Sequence, residues 1–156
     1  MSNTAIRGFY LLTDKIKDTL LADVNVNTVT TGDITEIDLS KQTIFPLSHM
    51  IVNNVTSSES VLTFNISILS MDIVDSSKEA TADIFIGNDN EQDVLNTQLS
   101  VLNKLIQKLR IGNLYRELYQ VEGDVSFEPF MDRFENKVAG WTATFDVLIQ
   151  NDIDVC

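Results

Sequence analysis

The stretch that most constrains this chain is residues 61–75, VLTFNISILSMDIVD, its longest β-rich run and one without Pro or Gly. Leu62, Phe64, Ile66 and Ile68 fall on one face, with Thr63, Asn65 and Ser67 on the other. That is the period-2 signature of a strand covered on one side. Beyond Ile68 the phase changes: Leu69, Met71 and Ile73 become the apolar set, and Ser70 and Asp72 take the face that carried Phe64. At about 3.3 Å per residue the whole run would reach roughly 50 Å, long for one strand. A bulge or bend near 68–70 accounts for both observations, because one extra residue exchanges the faces. The alternative is a strand that leaves one packing partner and meets another, such as a neighbouring subunit. In either case the run is framework rather than a reaction site.

A half-covered strand needs helices above it and strands beside it, and the chain supplies both. Phe9, Leu12, Ile16 and Leu20 recur at helical spacing, which predicts an amphipathic helix over 5–22 with Thr4 as N-cap. Residues 89–111 give the clearest helix. Leu95, Leu99, Leu102, Ile106 and Leu109 form its stripe, widened by Val94, Val101 and Leu105. Asp89 and Gln92 resemble a capping box, Lys104, Lys108 and Arg110 load the last turns, and Gly112 is placed to stop the helix. In residues 140–150, Trp141, Ala143, Phe145, Val147 and Ile149 alternate with Thr142, Thr144 and Asp146, with Leu148 out of phase. This strand is the best partner for 61–75 or a neighbour of it.

Weaker strands fill in the sheet. Residues 25–39 read as two short strands joined at Gly32-Asp33, an edge ribbon or protruding arm. Pro46 interrupts 41–55, so strand character resumes at 48–55, with Met50 and Val52 on one face and His49 and Ile51 on the other. Residues 56–60, TSSES, then read as a polar hairpin loop, and 118–127 and 129–134 as two further short strands. The order predicts one α+β domain over 1–156, an antiparallel or mixed sheet with two main helices on one face. After Asp75 comes a connector holding an apolar island, Ile84, Phe85 and Ile86. The island reads as a buried clip or as a contact between subunits, the clip being the preferred reading; in the second case it forms, with Leu69, Met71 and Ile73, the candidate interface with another subunit or partner.

The composition narrows function. Twenty-three acidic residues against 11 basic give a net charge of −12, which opposes an electrostatic grip on nucleic acid or an anionic membrane. The lone cysteine, Cys156, excludes an intramolecular disulfide and suits a reducing compartment. The opening MSNTAIRGFYLLTDKIKD lacks the uninterrupted apolar core of a signal peptide, and no apolar run approaches bilayer length, so a cytosolic origin is expected.

Chemistry is sparse. His49 is the only histidine and sits in an apolar stretch, the setting of a structural histidine rather than a base. No GxSxG, P-loop, HExxH, CxxC or GxGxxG pattern occurs. Asp72, Asp75, Asp83 and Asp89 match no calcium loop and read as solvated carboxylates. Tyr115, Arg116 and Tyr119 could stack on bases, but Glu117 and Glu122 cancel the charge. No catalytic, cofactor-binding or metal-binding residue is assigned, and an enzyme is not expected.

The run TIFPLSHMIVNNV, the strand ending LSMDIVD and the stretch GNDNEQDVLNTQLSVLNKLIQKLR resemble small tail-completion proteins of long-tailed bacteriophages. The resemblance covers roughly residues 43–110. It puts Phe45, Pro46 and Leu47 where the chain enters the sheet, Asp72 and Asp75 at a turn, and Asn90, Glu91 and Val94 at a helix start. The acidic-polar connector 76–90 is longer than in that pattern. What the resemblance implies is a tail terminator: a homo-oligomeric ring, usually hexameric, that caps the tail tube protein and offers a docking surface to head–tail connector proteins. Such a ring belongs to the virion neck, is made in the host cytoplasm, carries no cofactor and lets DNA pass without specific binding. A head–tail connector or stopper is the alternative in the same class; an assembly chaperone or small binding module is the alternative outside it.

Overall fold

The computed structural model describes residues 8–32, 44–74, 90–110, 120–133 and 137–150. Along the chain these form α1 (Gly8–Leu21), β1 (Thr28–Thr31), β2 (Leu47–Ser57), β3 (Val61–Ile73), α2 (Glu91–Arg110), β4 (Gln120–Arg133) and β5 (Lys137–Gln150). The strands make one five-stranded sheet in the order β1-β2-β3-β5-β4. β1 runs parallel to β2, and every other pairing is antiparallel. Both helices pack on one face, giving the expected α+β architecture.

The period-2 pattern explains how the inner, helix-covered face is built. Phe64, Ile66 and Ile68 of β3, Ala143, Phe145, Val147 and Ile149 of β5, and Met50 of β2 share one buried cluster with Leu12, Ile16 and Leu20 of α1. α2 adds Val101, Leu102, Leu105, Ile106 and Leu109 to that cluster. Each fully buried Leu or Ile contributes about 1.5–3 kcal/mol relative to exposure, so this cluster is the main source of stability.

β3 differs from the sequence expectation at the phase change. All 13 of its residues pair in register with β5, from Val61 opposite Gln150 to Ile73 opposite Val138, with no bulge at 68–70. The bulge lies instead on β2, where Asn53 is the extra residue between Val52 and Asn54. The apolar residues change sides because the cover changes sides. Leu47, Phe45, Met71 and Val138 form a second buried cluster on the outer face, with Ile44, Leu69, Ile73 and Phe130 packed against it. Near residue 70 the strand is therefore buried on both faces.

Other boundaries shift for similar reasons. α1 buries Gly8, Leu12, Ile16 and Leu20 at strict four-residue spacing, so Phe9 is 50% exposed and meets Tyr10 edge-on at 5.9 Å. Residues 25–31 are not an arm: Val26 is buried, and β1 joins the main sheet as an edge strand. The second half of that ribbon, residues 33–39, lies outside the described residues, as do Thr4, Asp89 and Gly112. The Asn90 carbonyl accepts from the Val94 amide at 2.9 Å, so Asn90 takes the N-cap position of α2. The two short strands expected over 118–134 are one edge strand, β4, which runs through Pro129. An edge tolerates a proline because one side of the strand makes no ladder bonds.

The hairpin between β2 and β3 is tighter than the sequence suggests. β2 extends to Ser57, and the Ser58 amide donates to the Val61 carbonyl at 2.9 Å while the Val61 amide donates to Ser58 Oγ at 3.1 Å. Serines of TSSES are thus turn-formers rather than a loose loop.

Candidate functional site

The outer face of the sheet divides in two. The half nearest residue 70 is apolar and is covered by the 44–47 segment. The other half is polar and cross-linked by side chains. Asn53 Nδ2 donates to Asn65 Oδ1 at 2.8 Å and to Ser67 Oγ at 2.9 Å. Asn65 Nδ2 donates to Asp146 Oδ1 at 2.8 Å, and the Ser67 and Thr144 hydroxyls meet at 2.9 Å. The β2 bulge makes this possible, because it turns Asn53 and Asn54 to the same side of the strand. Glu122, Ser126 and Glu128 of β4 continue the surface, exposed to solvent. Register puts no Lys or Arg side chain among the described residues of this polar half. It is a polar surface that carries the carboxylates of Glu122, Glu128 and Asp146.

The six candidate interface residues separate in the structure. Met71 is 1% exposed and is packed into this chain's own outer cluster, so it is not available to a neighbour. Leu69 and Ile73 are half-buried at the margin of that cluster. Ile84, Phe85 and Ile86 lie outside the described residues.

His49 is fully buried, and its ring nitrogens are engaged by Thr30 of β1 and by Gly32 just beyond that strand. Nε2–H donates to the Gly32 carbonyl at 2.8 Å, which leaves Nδ1 as the acceptor for the Thr30 hydroxyl at 2.7 Å. A hydroxyl on an imidazole is the first requirement of nucleophilic catalysis. Here, however, Thr30 and His49 are direct ladder partners, and the orienting group is a backbone carbonyl just beyond the same strand. The arrangement works as a staple between β1 and β2. Beside it, a cleft of about 260 Å³ opens between α1 and the sheet edge, lined by Thr13, Asp14, Lys17, Val29, Thr30, Thr31 and Met50.

One polar constellation lies inside the apolar packing between α2 and the sheet. Ser48, Ser70 and Gln98 are all buried, at 0%, 0% and 1% exposure, beneath α2. Ser48 Oγ lies 3.4 Å from Ser70 Oγ, and Ser70 donates to Gln98 Oε1 at 2.5 Å, so the chain of donors runs from β2 through β3 to the helix. Gln98 Nε2 has no partner among the described residues. Trp141 adds a second tether, its Nε1–H donating to the Leu95 carbonyl at 2.7 Å. Gln98 reads in sequence as a surface residue, yet it stands at the same helical angle as Val94, Val101 and Leu105. That spacing is the signal that could have found it.

Asp72 Oδ1 accepts from the Ile73 amide at 2.8 Å, while Asp75, Asp83, Asp89, Tyr115, Arg116, Tyr119 and Cys156 lie outside the described residues. Among the described residues no three His, Cys, Asp or Glu side chains converge on a metal-sized site, and no helix is long and apolar enough to cross a membrane. Comparison with protein families and with curated proteins finds no match for this chain.

Proposed function

We propose that this chain is a structural virion protein, a tail terminator that forms a ring on the tail tube and joins it to the head connector. The observation that carries the reading is the resemblance of residues 43–110 to tail-completion proteins. The described residues of its three stretches fall on elements that adjoin in space: 44–55 on the cover and β2, 69–74 on the end of β3, and 90–110 on α2. The −12 charge is a second support, since an acidic wall repels phosphate and lets a duplex pass without gripping it. On this reading the polar half of the outer face, with Glu122, Glu128 and Asp146, is the surface suited to line the passage.

Size-exclusion chromatography with light scattering, alone and with tail tubes, tests the assembly. A ring-sized oligomer, free or only on tube ends, supports the proposal; a chain that stays monomeric with tubes present overturns it. Micrographs of a phage lacking the gene then separate the two related roles. Overlong headless tails identify a terminator, whereas tails of normal length beside DNA-leaking heads identify a connector.

A further inference from the structure

β1 is fastened differently at its two ends. At its start, the Asn27 and Thr28 amides both point at the Pro46 carbonyl, at 2.9 and 3.2 Å, and Val26 just before them is buried. At its far end the side-chain fastening among the described residues is His49, which holds the Thr30 hydroxyl at 2.7 Å and the Gly32 carbonyl at 2.8 Å. Between the ends no β1 side chain is buried. On its inner side only Val29 packs, half-buried, against the main cluster, and a cleft of about 260 Å³ opens between the strand and α1, so the packing there is incomplete. Four residues of β1 face the 11 of β2, and parallel pairing is the weaker kind per residue.

We propose that β1 is a latch, hinged at 26–28 and held shut by His49, which opens as a unit while the antiparallel strands stay paired. Opening breaks both imidazole hydrogen bonds together, because both partners, Thr30 and Gly32, move with the strand. It bares the backbone edge of β2 from Leu47 to Met50, a row of donors and acceptors able to pair with another strand. The latch is independent of the assembly role proposed above, since it rests only on how β1 is attached. Local opening of this kind draws on elements with few buried contacts, as β1 is.

Hydrogen–deuterium exchange of the full chain, read by mass spectrometry, tests it. In His49→Gln, and separately in Thr30→Val, exchange over residues 28–32 is expected to rise roughly tenfold while β3 and β5 keep their protection. Thr30→Val preserves the shape of a half-exposed side chain and removes only its hydroxyl, so it decides the matter should His49→Gln fail to fold. Faster exchange spread equally over all strands overturns the proposal, because His49 would then support the whole core. Unchanged exchange over 28–32 overturns it as well.

Discussion

At the scale of single residues, two positions carry sharp expectations. Gly140 pairs with Met71 in the ladder, and a Cβ there would sit 2.0 Å from the Ser70 carbonyl oxygen and 2.8 Å from the Met71 Cα. Both are backbone atoms of the central strand, which cannot move without breaking its pairing. Gly140→Ala should therefore cost about 3 kcal/mol or more, at the upper end for overpacking. At Gly8 the tightest contact would be Ile149 Cδ1, the tip of a flexible side chain, so Gly8→Ala should stay within about 1 kcal/mol of wild type. Denaturant midpoints of the two variants check the contrast, and equal shifts would contradict it. Gln98 is the second position. Its buried amide lacks a partner among the described residues, and an unpaired buried donor costs about 1–3 kcal/mol. Gln98→Leu removes that donor while Ser70 keeps Ser48 Oγ at 3.4 Å, so the single change should stabilise by about 1 kcal/mol, whereas adding Ser70→Ala leaves the buried Ser48 hydroxyl without Ser70 and should lose that gain. The single and double variants form a thermodynamic cycle, and simple additivity would show the two groups to be uncoupled.

At the scale of elements, β4 shows how local irregularity is held in place. Between Glu122 and Ser126 its register slips against β5, and the bulge presents Gly123 at φ 72°. Arg110, in the last turn of α2, donates from Nη2 to the Gly123 carbonyl at 2.9 Å, tying the helix end to the bulge. Left-handed backbone penalises any residue with a Cβ, so Gly123→Ala should cost about 1–2 kcal/mol although nothing within 4 Å would touch the added methyl. Thermal melts of Gly123→Ala beside Gly123→Asn check this, since asparagine tolerates the left-handed region better and should lose less. The same element marks where sequence reading ran out. α1, α2, β3 and β5 were legible because a single covered face leaves a clean period, and the prediction of helices on one face followed from them. β4 and β1 were legible only as weak strands, the first split in two and the second read as part of a ribbon, because an edge strand is half solvated and carries a weak pattern. Of the two readings of the phase change in β3, the bulge fails and the change of packing partner holds: alternation records which side is covered, and the second partner over Leu69, Met71 and Ile73 is this chain's own 44–46 segment. The neighbouring Phe45 and Leu47 were the available clue to that cover. The polar ladder of Asn53, Asn65, Ser67, Thr144 and Asp146 could not be read at all, because its contacts depend on cross-strand register and on a bulge that no period reveals.

At the scale of the whole molecule, charge is the property that the proposed role uses. A net of −12 on 156 residues is a field, not a contact, and its effect depends on where the acids stand. Glu122 and Glu128 stand exposed on β4, on the polar half of the outer face, and make no salt bridge among the described residues. Asp146 is held by Asn65 and belongs to the ladder, so changing it would confound charge with structure. The informative variant is therefore Glu122→Lys with Glu128→Lys, which moves the net charge by four units while leaving both clusters and the ladder intact. Exposed substitutions of this kind change stability by about 0.5 kcal/mol or less, so folding and ring assembly should persist. If this face lines the passage, the new cations attract phosphate, and DNA ejection from assembled particles should slow most at low salt, where the field reaches farthest. At about 0.15 M salt the screening length is only ~8 Å, and at higher ionic strength the slowing should fade. Ejection kinetics that match wild type at low salt would remove this face from the passage, while leaving the ring itself to be judged by its size in solution.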